Sequence, residues 1–196
     1  MIVLRRFITT TEVKNTYRYL DTQKKYEIIK TALLFAVSIS LFIAGYVATQ
    51  SRNNLLTVVA VLGCLPASKS LVSAIMFCRF HSASADVQQA VSSFDACTDT
   101  LYDLVFTTQK VNYCVAHASL IGAELVLYTE DQKLDKKGLD AHLHDMLKKA
   151  GVKKVNIGVF TDLKRYTDRV NTLLNADREP YADAALLIES LKEISL

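Results

Sequence analysis

Two apolar runs dominate the pattern of the chain. From Thr31 to Gln50 it reads TALLFAVSISLFIAGYVATQ, 20 residues without a charge. At about 1.5 Å per residue this length matches a hydrocarbon core of about 30 Å. A soluble helix is apolar along one stripe rather than all round. The second run starts near Leu55 and ends at Cys78, before Arg79. It is interrupted by Pro66, Ala67, Ser68, Lys69 and Ser70 and resumes at Leu71. Only Ser51, Arg52, Asn53 and Asn54 separate the runs, so two helices there must lie antiparallel. The pattern predicts a two-helix transmembrane hairpin over 31–80. A cleaved signal peptide has a shorter apolar region nearer the N-terminus and does not fit.

Before the hairpin, Met1 to Leu4 suits either a short strand or an interfacial peptide. Thr9 and Glu12 have the spacing of a capping box. The stretch TEVKNTYRYLDTQKKYEIIK holds no Gly or Pro, so a basic lead-in helix over 1–30 is expected to run into the first span. After Arg79 the periodicity changes. Ser82, Ser84 and Asp86 are candidate caps for a helix over 84–95, with Val87, Ala90, Val91 and Phe94 on one face. Three strand-like runs follow at 101–108, 111–119 and 123–129. Within the second, Val111, Tyr113 and Val115 alternate with Asn112, Cys114 and Ala116. The joints are too short for crossover helices, which predicts an antiparallel meander. A helix over 139–150 closes at Gly151 with Lys148 and Lys149 in its last turn. A fourth strand is expected at 154–160. Thr161 or Asp162 caps a helix over 163–175, and Pro180 opens a last helix over 181–194. The fold class is α+β and membrane-anchored: the hairpin, then a small cytosolic α/β domain over 82–196 in the order helix, three antiparallel strands, helix, strand, two helices.

Charge adds an orientation. Residues 1–30 carry Arg5, Arg6, Lys14, Arg18, Lys24, Lys25 and Lys30, against Arg52 alone in the joint. The positive-inside rule then places both termini in the cytosol, as in a two-pass protein of the cell membrane. The lead-in also holds Glu12, Asp21 and Glu27, a balance of 7 − 3 = +4, whereas the whole chain of 196 residues is at +3. The remainder is close to neutral and lacks the basic footprint of a nucleic-acid binder. The lipid bilayer is the expected partner, with anionic lipids met by Arg5, Arg6, Lys24 and Lys25. A protein partner or a homo-oligomer is a further expectation. The four cysteines, Cys64, Cys78, Cys97 and Cys114, show no CxxC spacing and read as small packing residues.

Candidate chemistry is sparse. The element order over about 84–160 resembles the core of the restriction-endonuclease-like fold. That resemblance implies an acid on the second strand and an (Asp/Glu)-x-Lys on the third, holding a metal and a water. Here Glu124 is followed by Leu125 and Val126, and the second strand has no acid, so a nuclease site is absent or displaced. His142 and His144 are two apart on a helix and point about 200° from each other, so they cannot share a metal. His117 reads as a buried structural histidine. Asp103 and Glu124 either meet across the sheet or lie far apart. Lys69 sits deep enough in an apolar run to cost about 2.5–3.5 kcal/mol. It is either functional or, with Pro66 bending the helix, at a boundary beyond which Leu71–Phe80 follows the interface. Lys69, Asp103, His117 and Glu124 are thus the candidate functional residues. No catalytic residue, metal or cofactor is assigned. The leading expectation is a membrane-anchored interaction or regulatory domain without catalysis. The rivals are a membrane-tethered enzyme with a degenerate endonuclease-like site and a small pore or transport accessory subunit.

Overall fold

The computed structural model describes residues 14–50, 55–95, 98–108, 111–152, 155–176 and 181–196. The proposed capping box at Thr9 and Glu12, together with Arg5 and Arg6, lies outside them. The chain folds as two units. One is helical and covers Leu20–His81; the other combines residues 14–19 with Ser82–Leu196.

The helical unit contains α1 (Tyr19–Thr49) and α2 (Leu55–Cys78). Both are long and apolar enough to cross a membrane, and only 17% of each apolar window is buried. The expected lead-in helix does not persist through 14–18. Asn15 and Arg18 adopt left-handed backbone, φ 63° and 61°, which a right-handed helix cannot contain. The helix therefore begins at Tyr19, and from there it continues unbroken into the apolar run. Gln50, also left-handed, ends it. In α2, Pro66 is accommodated inside a helix that continues to Cys78. Leu71–Cys78 thus continues the same helix.

The two helices meet along small residues. Ala60, Ala67, Ser70, Ala74 and Phe77 are the buried positions of α2, and Glu27, Thr31, Ser38 and Gly45 are buried on α1. Steps of seven, three and four keep these on one seam. Thr31 Oγ1 lies 2.9 Å from Ser70 Oγ. A Cβ on Gly63 would come within 2.8 Å of Ser38 Oγ. Position numbers on the two helices run in opposite directions through these contacts, so the pair is antiparallel. Large side chains such as Leu33, Val47, Leu65 and Val72 point outward and are exposed.

The second unit is a four-stranded sheet in the order β1-β2-β3-β4 with helices on both faces. The strands are β1 (Asp99–Thr107), β2 (Asn112–Ile121), β3 (Glu124–Tyr128) and β4 (Asn156–Phe160). The first three form the expected antiparallel meander, and β4 joins β3 in parallel. The remaining helices are α3 (Ala85–Val91), α4 (Lys136–Lys149), α5 (Leu163–Leu174) and α6 (Ala184–Ile194). Leu139, Leu143 and Leu147 of α4 and Leu187 and Leu191 of α6 pack on one sheet face. Val87 and Val91 of α3, with Tyr166, Val170 and Leu173 of α5, pack on the other.

Local chemistry explains most boundaries. Ser84 accepts from the Val87 amide and caps α3. Helix α3 is shorter than the periodicity predicts: it stops at Val91, and the Phe94 and Asp95 amides turn back onto the Val91 carbonyl. Helix α4 starts earlier than expected because Asp135 caps it through the Lys137 amide. It ends in a Schellman arrangement, Gly151 at φ 86° and the Val152 amide bonded to the Leu147 carbonyl. Asp162 caps α5 through two amides. Helix α6 begins at Ala184, three residues after Tyr181, with Asp183 giving no side-chain cap.

Candidate functional site

Strict strand alternation would put Tyr102, Leu104 and Phe106 on one face of β1. Instead Tyr102 joins the core under α3 and α5, while Leu104 and Phe106 join the core under α4 and α6. The switch falls at Asp103, whose φ is 56°. Register is unbroken across it: Tyr102 opposes His117 and Leu104 opposes Val115. Both strands therefore reverse facing at the same level, and the expected alternation of β2 holds only up to that point. The left-handed residue is held from its side chain, for the buried Asp103 carboxylate accepts the Ala83 amide at 2.8 Å. Aspartate tolerates this backbone region better than most residues.

The reversal turns His117 toward α5, into a polar cluster drawn from four places in the chain. His117 Nδ1 lies 2.6 Å from the Tyr166 hydroxyl, and Nε2 lies 3.1 Å from Asp95 Oδ1. Ser119 Oγ is 2.8 Å from the same Tyr166 hydroxyl. The Tyr102 hydroxyl donates to Asp95 Oδ2. With a neutral imidazole every proton has a place: Ser119 donates to Tyr166, Tyr166 to Nδ1, Nε2 to Asp95. His117 and Ser119 are fully buried, and the Asp95 side chain is 28% exposed. Burial pushes the Asp95 carboxyl up, but hydrogen bonds from His117 and Tyr102 outweigh it and hold the group below the usual carboxylate range. Burial pushes Tyr102 and Tyr166 up, so both stay neutral hydroxyls. The Tyr102 and His117 rings stack edge-on, centroids 4.5 Å apart. Chemically this is a buried histidine with both nitrogens engaged, bonded through Nε2 to the partly exposed Asp95.

The other sequence candidates do not gather around it. Glu124 receives the guanidinium of Arg169 on α5, with Nε 3.0 Å from Oε1. It opposes Ile121, whereas Asp103, two strands over, lies level with Ala116, five residues and so roughly 16 Å farther along β2. The two acids do not converge. Lys69 is exposed on α2, away from the seam that buries Ser70. His144 pairs with Asp140 at 3.6 Å on the surface of α4. His142 instead borders an open cleft of about 590 Å³ with Tyr113, Asp135 and Met146. No cluster of three His, Cys, Asp or Glu suited to a metal occurs among the described residues. Cys114 is a half-buried thiol, pushed up to about 12 by desolvation and then by Asp103.

The helical unit holds a second polar cluster. Glu27 is buried, its Oε2 accepts from Ser70 at 3.2 Å, and Lys30 Nζ lies 3.4 Å away. Thr31 shares its hydroxyl between Ser70 and the Glu27 carbonyl. Sequence reasoning counted Glu27 as part of the lead-in and passed over it. Asp95, Tyr102, Ser119 and Tyr166 were missed as partners of His117, since three of them lie on other elements.

Compared with models of known protein families, with curated proteins and with solved structures, the chain matches none.

Proposed function

We propose that this is a two-pass membrane protein whose cytosolic α/β domain is a non-catalytic interaction or regulatory module. The observation that carries the reading is the exposure of the two apolar helices. Their apolar windows are only 17% buried, whereas a helix serving as a soluble core is covered by its own protein. Exposed leucines, valines and isoleucines over two such lengths call for a lipid solvent. The small-residue seam suits helices that pack in lipid, where close backbone approach replaces the hydrophobic drive.

Two features of the folded domain support a regulatory role over catalysis. The residues leading into and out of the helical unit are pinned at adjacent positions of β1: the Tyr102 amide donates to the Asn15 carbonyl at 2.8 Å, and the Ala83 amide donates to Asp103. The strand so gripped carries Tyr102, a direct ligand of the Asp95–His117 cluster. The chemically capable histidine is sealed and fully partnered, which suits a structural relay and not a base meeting substrate. The nuclease alternative lacks its lysine and its second acid, and Glu124 is neutralised by Arg169.

Alkaline carbonate extraction of membranes from expressing cells tests the anchor. The full chain should remain in the pellet and be released by detergent. Release by carbonate alone contradicts the reading.

A further inference from the structure

The two edges of the sheet are treated differently. At β1, the outward Tyr102 amide is taken by Asn15 and the outward Val105 carbonyl by the amide of Leu196. The chain's own leading segment and C-terminus thus cover that edge. At β4, the Asn156 amide donates to Ala123 and the Phe160 carbonyl accepts from Thr129, so even-numbered residues face β3. The amides and carbonyls of Ile157 and Val159 consequently point away from the sheet. Among the described residues none hydrogen-bonds to them.

The sequence of β4, Asn-Ile-Gly-Val-Phe, reads as an interior strand. It has apolar residues on both faces, as β3 has, but β3 is buried at all five positions while β4 is only half-buried at four of its five. Its five residues hold no proline, no lysine and no charge, which are common protections of an edge. Glycine at its centre leaves room for another backbone to approach closely.

We propose that β4 pairs antiparallel with β4 of a second copy of this chain, continuing the sheet across a two-fold axis at Gly158. Three features select a second copy. The strand is self-complementary about Gly158: in this register Ile157 of each copy opposes Val159 of the other, and β-branched residues pair well across strands. Ile157 and Val159 carry the outward groups, so each such pair exchanges both hydrogen bonds. Gly158 then faces its counterpart at a non-hydrogen-bonded position, where strands approach to about 4.5 Å between Cα atoms. The flanks in sequence are opposite in sign, Lys153 and Lys154 before the strand and Asp162 after it. An antiparallel copy brings unlike flanks together; a parallel one would bring like flanks together. A two-fold axis also makes the contact isologous and closed, which halts growth at a dimer.

The test uses the full chain in detergent. Light scattering after size exclusion should give a dimer. Val159→Pro removes only an outward amide and leaves the bonds to β3 in place, so it should give a monomer with an unchanged circular dichroism spectrum. In a background with the native cysteines replaced, Gly158→Cys should form an intermolecular disulfide with itself under mild oxidation, since about 4.5 Å lies within disulfide range. A monomeric native chain, a Val159→Pro variant that remains dimeric and folded, or a Gly158→Cys variant that cross-links only to a different protein would each overturn the proposal. Should Val159→Pro fail to fold, the Gly158→Cys cross-link decides alone.

Discussion

A single aspartate sets which face of the sheet the polar cluster occupies. Asp103 holds a left-handed backbone that costs about 1–3 kcal/mol in most residues, and its carboxylate anchors the Ala83 amide. Asp103→Val should therefore destabilise the domain by about 2–4 kcal/mol, combining strain with a buried amide left without its acceptor. Asp103→Asn should lose much less, because asparagine accepts both the backbone and the bond. Urea denaturation of the two variants separates these outcomes; equal losses would mean that the backbone conformation is not what matters. Asp95 gives a pH signature. Its carboxyl is held below the ordinary value, so its contribution is complete above the unfolded-state pKa of about 4 and disappears as pH falls through the lower folded value. Tyr102 and Tyr166 are raised, so their contribution is present below about pH 10 and is lost as pH rises beyond it. Asp95→Asn should flatten the acid limb of a stability-against-pH curve and lower midpoint stability by about 1–3 kcal/mol. None of these partnerships was legible beforehand. Asp95 comes 22 residues before His117 and Tyr166 49 residues after it, and no local period connects them.

At the level of elements the sequence was far more informative, because helices and strands leave periodic traces. The meander over β1–β3, the Gly151 stop and the Asp162 cap follow directly from spacing and turn chemistry. Failures occurred where a tertiary bond overrode a local pattern. The stretch before Tyr19 has helical composition, yet Asn15 is drawn to Tyr102 and Ser195, and the helix starts late. Helix α3 ends early, its last carbonyl taken by the Phe94 and Asp95 amides, and Asp95 then reaches His117. On α1 and α2, the apolar runs were plain but the seam was not, since Ala and Gly positions carry no hydropathy contrast. Gly63 makes the seam testable. Gly63→Leu would strike Ser38 and should separate the helices, read as loss of a cross-link between Thr31→Cys and Ser70→Cys, whose native hydroxyls lie 2.9 Å apart. Lys69 projects from the opposite side. It lies 14 residues beyond Leu55, about 21 Å along the helix, and its stem can lift the ammonium toward a polar boundary. Lys69→Leu should leave the protein inserted and folded, and an ion flux abolished by that change would favour a pore.

For the whole molecule, the helical unit interrupts the folded domain in sequence: residues 14–19 precede it and Ser82 resumes the domain after it. A fragment of residues 82–196 retains both cores but loses the Asn15 cover of β1. It should melt cooperatively at a lower temperature than the domain of the full chain, and a non-cooperative melt would show that the leading segment is indispensable. In the proposed reading, α1 and α2 cross a membrane with the sheet domain on the cytosolic side. Impermeant maleimide labelling of single-cysteine variants in intact cells, with the native cysteines replaced, tests it most directly. Arg52→Cys, in the joint between the helices, should label from outside, whereas Asp145→Cys, on the exposed surface of α4, should label only after the cells are opened. Labelling of Asp145→Cys in intact cells together with protection of Arg52→Cys would contradict the account.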